Sequence, residues 1–421
     1  MNLWKATQLF IFIHLNLGSA VSTTPYITIY LLLLIALGYV VTDIYLPSLP
    51  ALSAYFHASD REVQITLSSY LLSFSLAPLI FGPLSDKFGR KKVILYGLFI
   101  SIAATLSCLV AQTIQQFSAF RFLQGVGTGA VMIASRTTAS DLFSGTALAK
   151  QMSLMTMLMP FVLAIAPVIG GILQQQLHWQ SVFLFLASYM LVVTIWAALK
   201  PETLKNPSNK NLYKIFSSYR IHLRNRLFLV FAINFALPTL GVFAYLSISP
   251  FLFQTVLGLS PTQYGILALY AGGTIILTGY INLKLLHYIS VTQIICTGIG
   301  MMILAGCLLL YFHLLGILTP WSLLLPALIY LTSVPLCVAN TAAKAMNLVE
   351  DHFGAATALL TSFQFLIASC GSFIASIAYE TTLPLALCFI GVGLLSLINL
   401  GFGCRLEKNA EMINTKRNNL T

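Results

Sequence analysis

Long apolar runs recur along the 421-residue chain at near-regular intervals, separated by short polar links. From Tyr26 onward twelve of them reach the length needed to cross a bilayer, about 20 residues. They fall near 27–50, 62–84, 92–111, 115–138, 150–174, 179–199, 227–253, 263–286, 291–312, 318–341, 353–377 and 383–404. They are too long and too evenly apolar for barrel strands, so the pattern predicts helices, which satisfy their own backbone in lipid. One link is long: 200–226 carries seven basic residues and a single acid, Glu202. The expected organisation is an N-terminal segment over 1–25, a six-helix half over 26–199, a basic central loop over 200–226, a second six-helix half over 227–404 and a polar tail over 405–421. In the first of these, Leu9 to Leu17 follows Lys5 like a short signal sequence but is too short to span. An interfacial segment or a misassigned start is expected there.

Composition removes the soluble alternative. Of all residues 58% are hydrophobic and 8% charged, where a soluble domain carries about 25% charged residues. The net charge of +11 does not indicate a nucleic-acid partner, because the basic residues lie in links between apolar segments. Of the 22 lysines and arginines, all but Arg61 and Arg121 fall at the termini, in links 2–3, 4–5, 6–7, 8–9 and 10–11, or at the adjoining segment ends. By the positive-inside rule both termini are expected in the cytoplasm. The seven cysteines all lie in apolar stretches without a CxxC, as small core residues do. The histidines lie in links, at segment ends or in the N-terminal stretch, and no HExxH motif occurs, so neither a metal site, another cofactor nor an enzyme is expected.

The densest charge is the run Gly82-Pro83-Leu84-Ser85-Asp86-Lys87-Phe88-Gly89-Arg90-Lys91-Lys92, read as a tight, solvated connection between segments 2 and 3. At the matching link of the second half stands Gly279-Tyr280-Ile281-Asn282-Leu283-Lys284, which keeps the glycine and lysine and loses the acid. Twelve spans in two related halves fit a transporter with its site between the halves near the bilayer midplane.

These features resemble the major facilitator superfamily. The 82–92 run is similar to its loop 2–3 signature, G-x-L-a-D-r-x-G-r-r/k, with Gly82, Leu84, Asp86, Gly89, Arg90 and Lys91 at matching positions. The resemblance implies that Asp86 and Arg90 contact neighbouring helix ends and hold the outward-facing state, as a conformational gate. Arg121-Phe122-Leu123-Gln124-Gly125-Val126-Gly127 resembles the family's helix 4 motif. Ala166-Pro167-Val168-Ile169-Gly170-Gly171 resembles the G-P-x-x-G-G antiporter motif of helix 5, with alanine for its first glycine. Thr42-Asp43-Ile44-Tyr45-Leu46-Pro47-Ser48-Leu49-Pro50 resembles the D-x-Y-L-P-x-x-P of Bcr/CflA-type drug exporters. Together these imply a twelve-span drug:proton antiporter, monomeric, in the inner membrane of a bacterium, exporting a small lipophilic cationic or neutral compound.

Of eleven acids only Asp43 sits well inside a predicted span, and a carboxylate in lipid is a functional hypothesis by default. Arg121 is the one basic residue well inside a span, at a similar depth, so an interaction with Asp43, direct or through water, is expected. Burial favours a neutral acid and a neighbouring arginine favours its carboxylate. A group balanced between the two can take up a proton on one side and release it on the other. Tyr39 lies one helical turn from Asp43 and Gln124 one turn from Arg121. Both are expected to line the cavity, with Asn234 and Gln364 as partners from the second half. Gly125, Gly170 and Gly171 read as close-packing positions and Pro167 as a bend. A dedicated exporter of a metabolite or siderophore fits the same residues, and a proton symporter importing a nutrient shares the fold.

Overall fold

A computed structural model describes residues 25–204, 212–349, 351, 353–377 and 381–418. The N-terminal segment up to residue 24, residues 205–211 of the central loop and the last three residues of the tail lie outside the described residues. Secondary structure among the described residues is helical, and twelve helices are long and apolar enough to cross a membrane. Spans 1 to 6 are Pro25–Phe56, Asp60–Phe88, Arg90–Leu109, Ile114–Leu142, Gly145–Leu177 and Trp179–Leu199. Spans 7 to 12 are Arg226–Val256, Pro261–Leu285, Val291–Leu314, Pro320–Met346, Phe353–Ala375 and Leu383–Lys408. Spans 2, 8 and 9 begin with capping boxes (Ser59 with Glu62, Ser260 with Gln263, Ser290 with Gln293) that satisfy the first free N–H groups. We call the side holding Gly89 the loop face and the opposite side the far face.

The structure departs from the expected segments in four places. Span 1 is broken: an α-helix runs Pro25–Asp43, a 3₁₀ turn covers Leu46–Ser48, and helix resumes over Leu49–Phe56. Pro47 has no N–H to give the Asp43 carbonyl, nor Pro50 one for Leu46, so the ladder stops there. The 82–92 run is not a solvated loop. Helix continues to Phe88 and restarts at Arg90, leaving Gly89 alone (φ +107°) as the link. The central loop contains a helix, Leu212–Arg224, and the helix of span 12 continues into the tail to Asn418.

The halves meet along spans 2 and 11 and along spans 5 and 8. Glycines permit the second contact: a Cβ at Gly171 would strike the Pro261 carbonyl, and one at Gly265 the Pro167 carbonyl. On the far-face side hydroxyls and amides seal the join. Ser68 donates to Ser372 (2.9 Å), Ser372 to Ser247 (3.2 Å), Ser247 to Gln64 (3.1 Å), and Gln254 to the Pro47 carbonyl (3.1 Å). At the loop face a hydrogen bond that reaches across to the first half comes from the Leu212–Arg224 helix, which packs on spans 7 and 11. Pro83 leaves the Leu79 carbonyl of span 2 without its helical donor, and the Tyr219 hydroxyl donates to that oxygen at 3.3 Å. Burial, assisted by the Asp86 carboxylate, raises the Tyr219 phenol to about 12, so it keeps this proton at neutral pH.

Candidate functional site

Between the halves lies a crevice lined by Tyr39, Thr42 and Asp43 of span 1, Met159 and Leu163 of span 5, Thr239, Val242, Phe243 and Leu246 of span 7, and Ile275, Val334 and Phe365 of spans 8, 10 and 11. Asp43 carries its one carboxyl group. It is the last residue of the first helical piece of span 1, where the carbonyl ends of a helix are already partly negative. No ion pair to Asp43 occurs among the described residues. The carboxyl group and the helix end stand together as acceptors in a chamber lined otherwise by apolar and aromatic side chains and the hydroxyls of Thr42 and Thr239, with Phe365 packed against both Tyr39 (6.5 Å) and Phe74 (4.6 Å).

Arg121 does not pair with Asp43. Its side chain is fully buried within the first half, between the rings of Tyr45 (4.0 Å) and Tyr70 (4.5 Å). Both terminal nitrogens donate to the Val41 carbonyl at 3.5 Å, and Nη1 also donates to Gln124 Oε1. The cause is helical phase. Val41 lies two residues, about 200°, from Asp43 around the helix, so Arg121 holds the back of the broken helix while Asp43 faces the crevice. Tyr70 adds to the hold by donating to the Gly38 carbonyl at 3.0 Å.

Gln124 also lies away from the crevice, with Nε2 donating to Thr105 of span 3 at 2.7 Å. Asn234 is buried in span 7 with Nδ2 on the Val230 carbonyl of its own helix. It lies more than a turn from Thr239, the first span 7 residue at the crevice. Gln364 is partly exposed beside Phe365, and its carbonyl accepts from Thr239 at 3.0 Å. Thus Tyr39 and Asp43 share the crevice, while Arg121, Gln124 and Asn234 sit in helix packing. Thr42, Thr239 and Phe365 were not singled out by sequence. Thr42 stands next to the lone acid, a usable signal, but the second-half residues become neighbours only through the fold.

The helix 5 glycines close on this site. A Cβ at Gly170 would collide with the Ile44 carbonyl, at the break beside Asp43. Pro167 stands within the unbroken helix Gly145–Leu177, and its carbonyl is what Gly265 approaches from the other half.

At the loop face, Arg90 is buried and ties three elements together. Its Nη1 donates to Asp86 and to Ser85 Oγ (2.8 Å), and its Nε to Asp141 of span 4 (2.8 Å). The Glu202 carboxylate, just beyond span 6, accepts from the backbone N–H of Arg90 (2.9 Å) and of Lys91 (3.2 Å). It caps the start of span 3. Lys91 Nζ donates to the Ala198 carbonyl at 2.7 Å. A Cβ at Gly89 would collide with the Glu202 carboxylate, and its positive φ already disfavours other residues. A Cβ at Gly82 would meet Ile133 of span 4 at an ordinary 3.8 Å. Sequence singled out neither Glu202 nor Asp141 for this role. In the second half the echo at Gly279 forms no ion pair among the described residues; Asn282 there accepts from Asn340 of span 10 at 2.8 Å. Elsewhere in that half an ion pair joins Lys344 at the end of span 10 to Glu407 in the helix of span 12 (3.1 Å).

Twelve helices long and apolar enough to cross a membrane, around a crevice with one buried acid, are the architecture of a membrane transporter. The model of the Major Facilitator Superfamily matches residues 31–372, and the chain belongs to that family. It is 31% identical to the MFS-type transporter YdgK of Bacillus subtilis, covering 84% of this chain and 89% of that one. It is 29% identical to multidrug resistance protein D of Escherichia coli over 79% of this chain and 84% of the relative. The corresponding figures for a bicyclomycin resistance protein homolog of Haemophilus influenzae are 27%, 82% and 87%. Among solved structures it superposes on a D-xylose–proton symporter with a TM-score of 0.70 at 15% identity, covering 88% of this chain and 96% of that one.

Proposed function

We propose that this protein exports small lipophilic compounds, cationic or neutral, in exchange for protons, by alternating access of the crevice to the two sides of the membrane. The observation that carries the reading is Asp43: one carboxylate, at the end of a broken helix, in an apolar chamber built by both halves. A group so placed accepts one positive partner at a time, a proton or a cationic substrate. The names of the multidrug and bicyclomycin resistance relatives support export of foreign compounds. The loop face is then cytoplasmic, in line with its lysines and arginines. On this reading the hydrogen bonds across the far face belong to a state closed to the outside.

Everted membrane vesicles holding a pre-formed proton gradient test this. Lipophilic cations such as ethidium or tetraphenylphosphonium are expected to dissipate the gradient when added to vesicles containing this protein. The Asp43→Asn protein, present at the same level, is expected to give no response. Dissipation undiminished in Asp43→Asn would overturn the assignment of proton coupling to Asp43.

A further inference from the structure

A second cavity, of about 170 Å³, opens at the loop-face ends of spans 1, 3, 4 and 6 and is separate from the crevice. Its walls include Ile27 and Tyr30 of span 1, Ile94 of span 3 and Leu142 of span 4, which are apolar apart from the phenol. Its polar lining comes from Tyr30, Arg90, Lys91, Thr138, Lys200 and Thr203. Arg90 is engaged with Asp86, Ser85 and Asp141, and the Thr138 hydroxyl with the Ala134 carbonyl, which leaves Lys91, Lys200 and Thr203, besides the Tyr30 phenol, as the donors for a ligand. Thr203 Oγ1 is buried without a hydrogen-bond partner, which is costly unless something fills the place. Lys91 spends one N–H on the Ala198 carbonyl, and Lys200 lies over the Trp196 ring at 5.9 Å; each keeps further donors. The anionic groups nearby are already engaged. Glu202 is held by the backbone N–H groups of Arg90, Lys91, Thr203 and Leu204, and Asp86 and Asp141 are paired with Arg90. Beside the mouth, Ile29 of span 1 and Ile195 and Leu199 of span 6 expose apolar surface.

We propose that this cavity binds the phosphate of an anionic bilayer lipid. Lys91, Lys200 and the Thr203 hydroxyl donate to the phosphate oxygens, the glycerol sits against Ile27 and Ile94, and the acyl chains leave along the exposed apolar edge of spans 1 and 6. A basic pocket between helices at the membrane surface is the expected form of such a site. A bound lipid would tie span 1, which carries Asp43, to the Arg90–Glu202 network.

The test is equilibrium binding to the purified full-length protein in neutral detergent, with dioctanoyl phosphatidylglycerol, dioctanoyl phosphatidylcholine, glycerol 3-phosphate and inorganic phosphate as probes. Saturable binding of phosphatidylglycerol is expected, weaker for phosphatidylcholine and far weaker for the two soluble phosphates. Lys91→Gln with Lys200→Gln should weaken phosphatidylglycerol by about tenfold or more. Lys92→Gln with Lys150→Gln, which removes the same charge from exposed positions outside the cavity, should leave it unchanged. Thr203→Val, which replaces only the unpartnered hydroxyl, should weaken binding a few-fold and covers the case in which the double variant misfolds. Equal loss in both double variants, no saturable lipid binding, or no effect of Thr203→Val would overturn the proposal. Equal affinity for glycerol 3-phosphate would overturn its lipid part and leave a soluble-phosphate site. None of these outcomes depends on Asp43 or on transport, so the test fails or succeeds independently of the exporter reading.

Discussion

Arg121 shows what a residue's type leaves open about its role. A single arginine and a single carboxylate at matching depth in a membrane suggest a pair, yet the guanidinium is stacked between Tyr45 and Tyr70 and donates to the Val41 carbonyl. It therefore acts on Asp43 through the backbone of the break. The two roles separate by substitution. If Arg121 served only as a charge, Arg121→Lys would keep transport. As a clamp it needs a flat group that fits between two rings and reaches one oxygen with two N–H groups, which lysine does not supply. Arg121→Lys is expected to lower stability by about 2 kcal/mol, the scale of a desolvated cation–π contact, and to impair export as the break loosens. Thermal unfolding in detergent and transport in vesicles check this together, and a lysine protein like the parent in both measures would return Arg121 to the role of charge partner.

At the scale of helices, the sequence announces spans clearly and their interruptions poorly. Twelve apolar runs are legible because lipid imposes one length and one composition on each. The break after Asp43 was legible in principle, since Pro47 and Pro50 stand in the run. The Leu212–Arg224 helix was hidden because it is amphipathic and too short to span. The place of Tyr39 and Asp43 in one chamber followed from a one-turn spacing within one helix. Thr239, Val334 and Phe365 could not be read, because only the packing of two halves brings them opposite Asp43. Gly170 joins these levels. It belongs to the helix 5 motif, and its missing side chain lets span 5 lie against the Ile44 carbonyl at the break. Gly170→Ala places a methyl against backbone that cannot rotate away. It is expected to cost about 1–3 kcal/mol, as overpacking does, and to reduce export more than Gly273→Ala, whose Cβ meets nothing. Parallel stability and transport measurements on the two variants decide it.

For the whole molecule, the two ends of the join between halves are built from different materials. The far-face seal consists of short hydroxyls and amides, with Ser68, Ser372, Ser247 and Gln64 hydrogen-bonded in a row across spans 2, 11 and 7. Each such bond contributes only about 1 kcal/mol net, because water replaces it when the surfaces part. The loop face is organised by ion pairs within each half, Arg90 with Asp86 and Asp141 in one and Lys344 with Glu407 in the other. Those bonds keep each half rigid without joining it to its neighbour. In the proposed transport cycle the seal is therefore the part expected to open, and the charged networks the parts expected to stay. If export requires the seal to part, fastening it should stop transport. Ser68 Oγ and Ser372 Oγ are 2.9 Å apart, near enough for cysteines at both positions to form a disulfide. In a protein lacking its native cysteines, Ser68→Cys with Ser372→Cys is expected to cross-link on mild oxidation and to lose export, with activity regained on reduction. Undiminished export by the fully cross-linked protein would show that substrates leave without separation of spans 2 and 11.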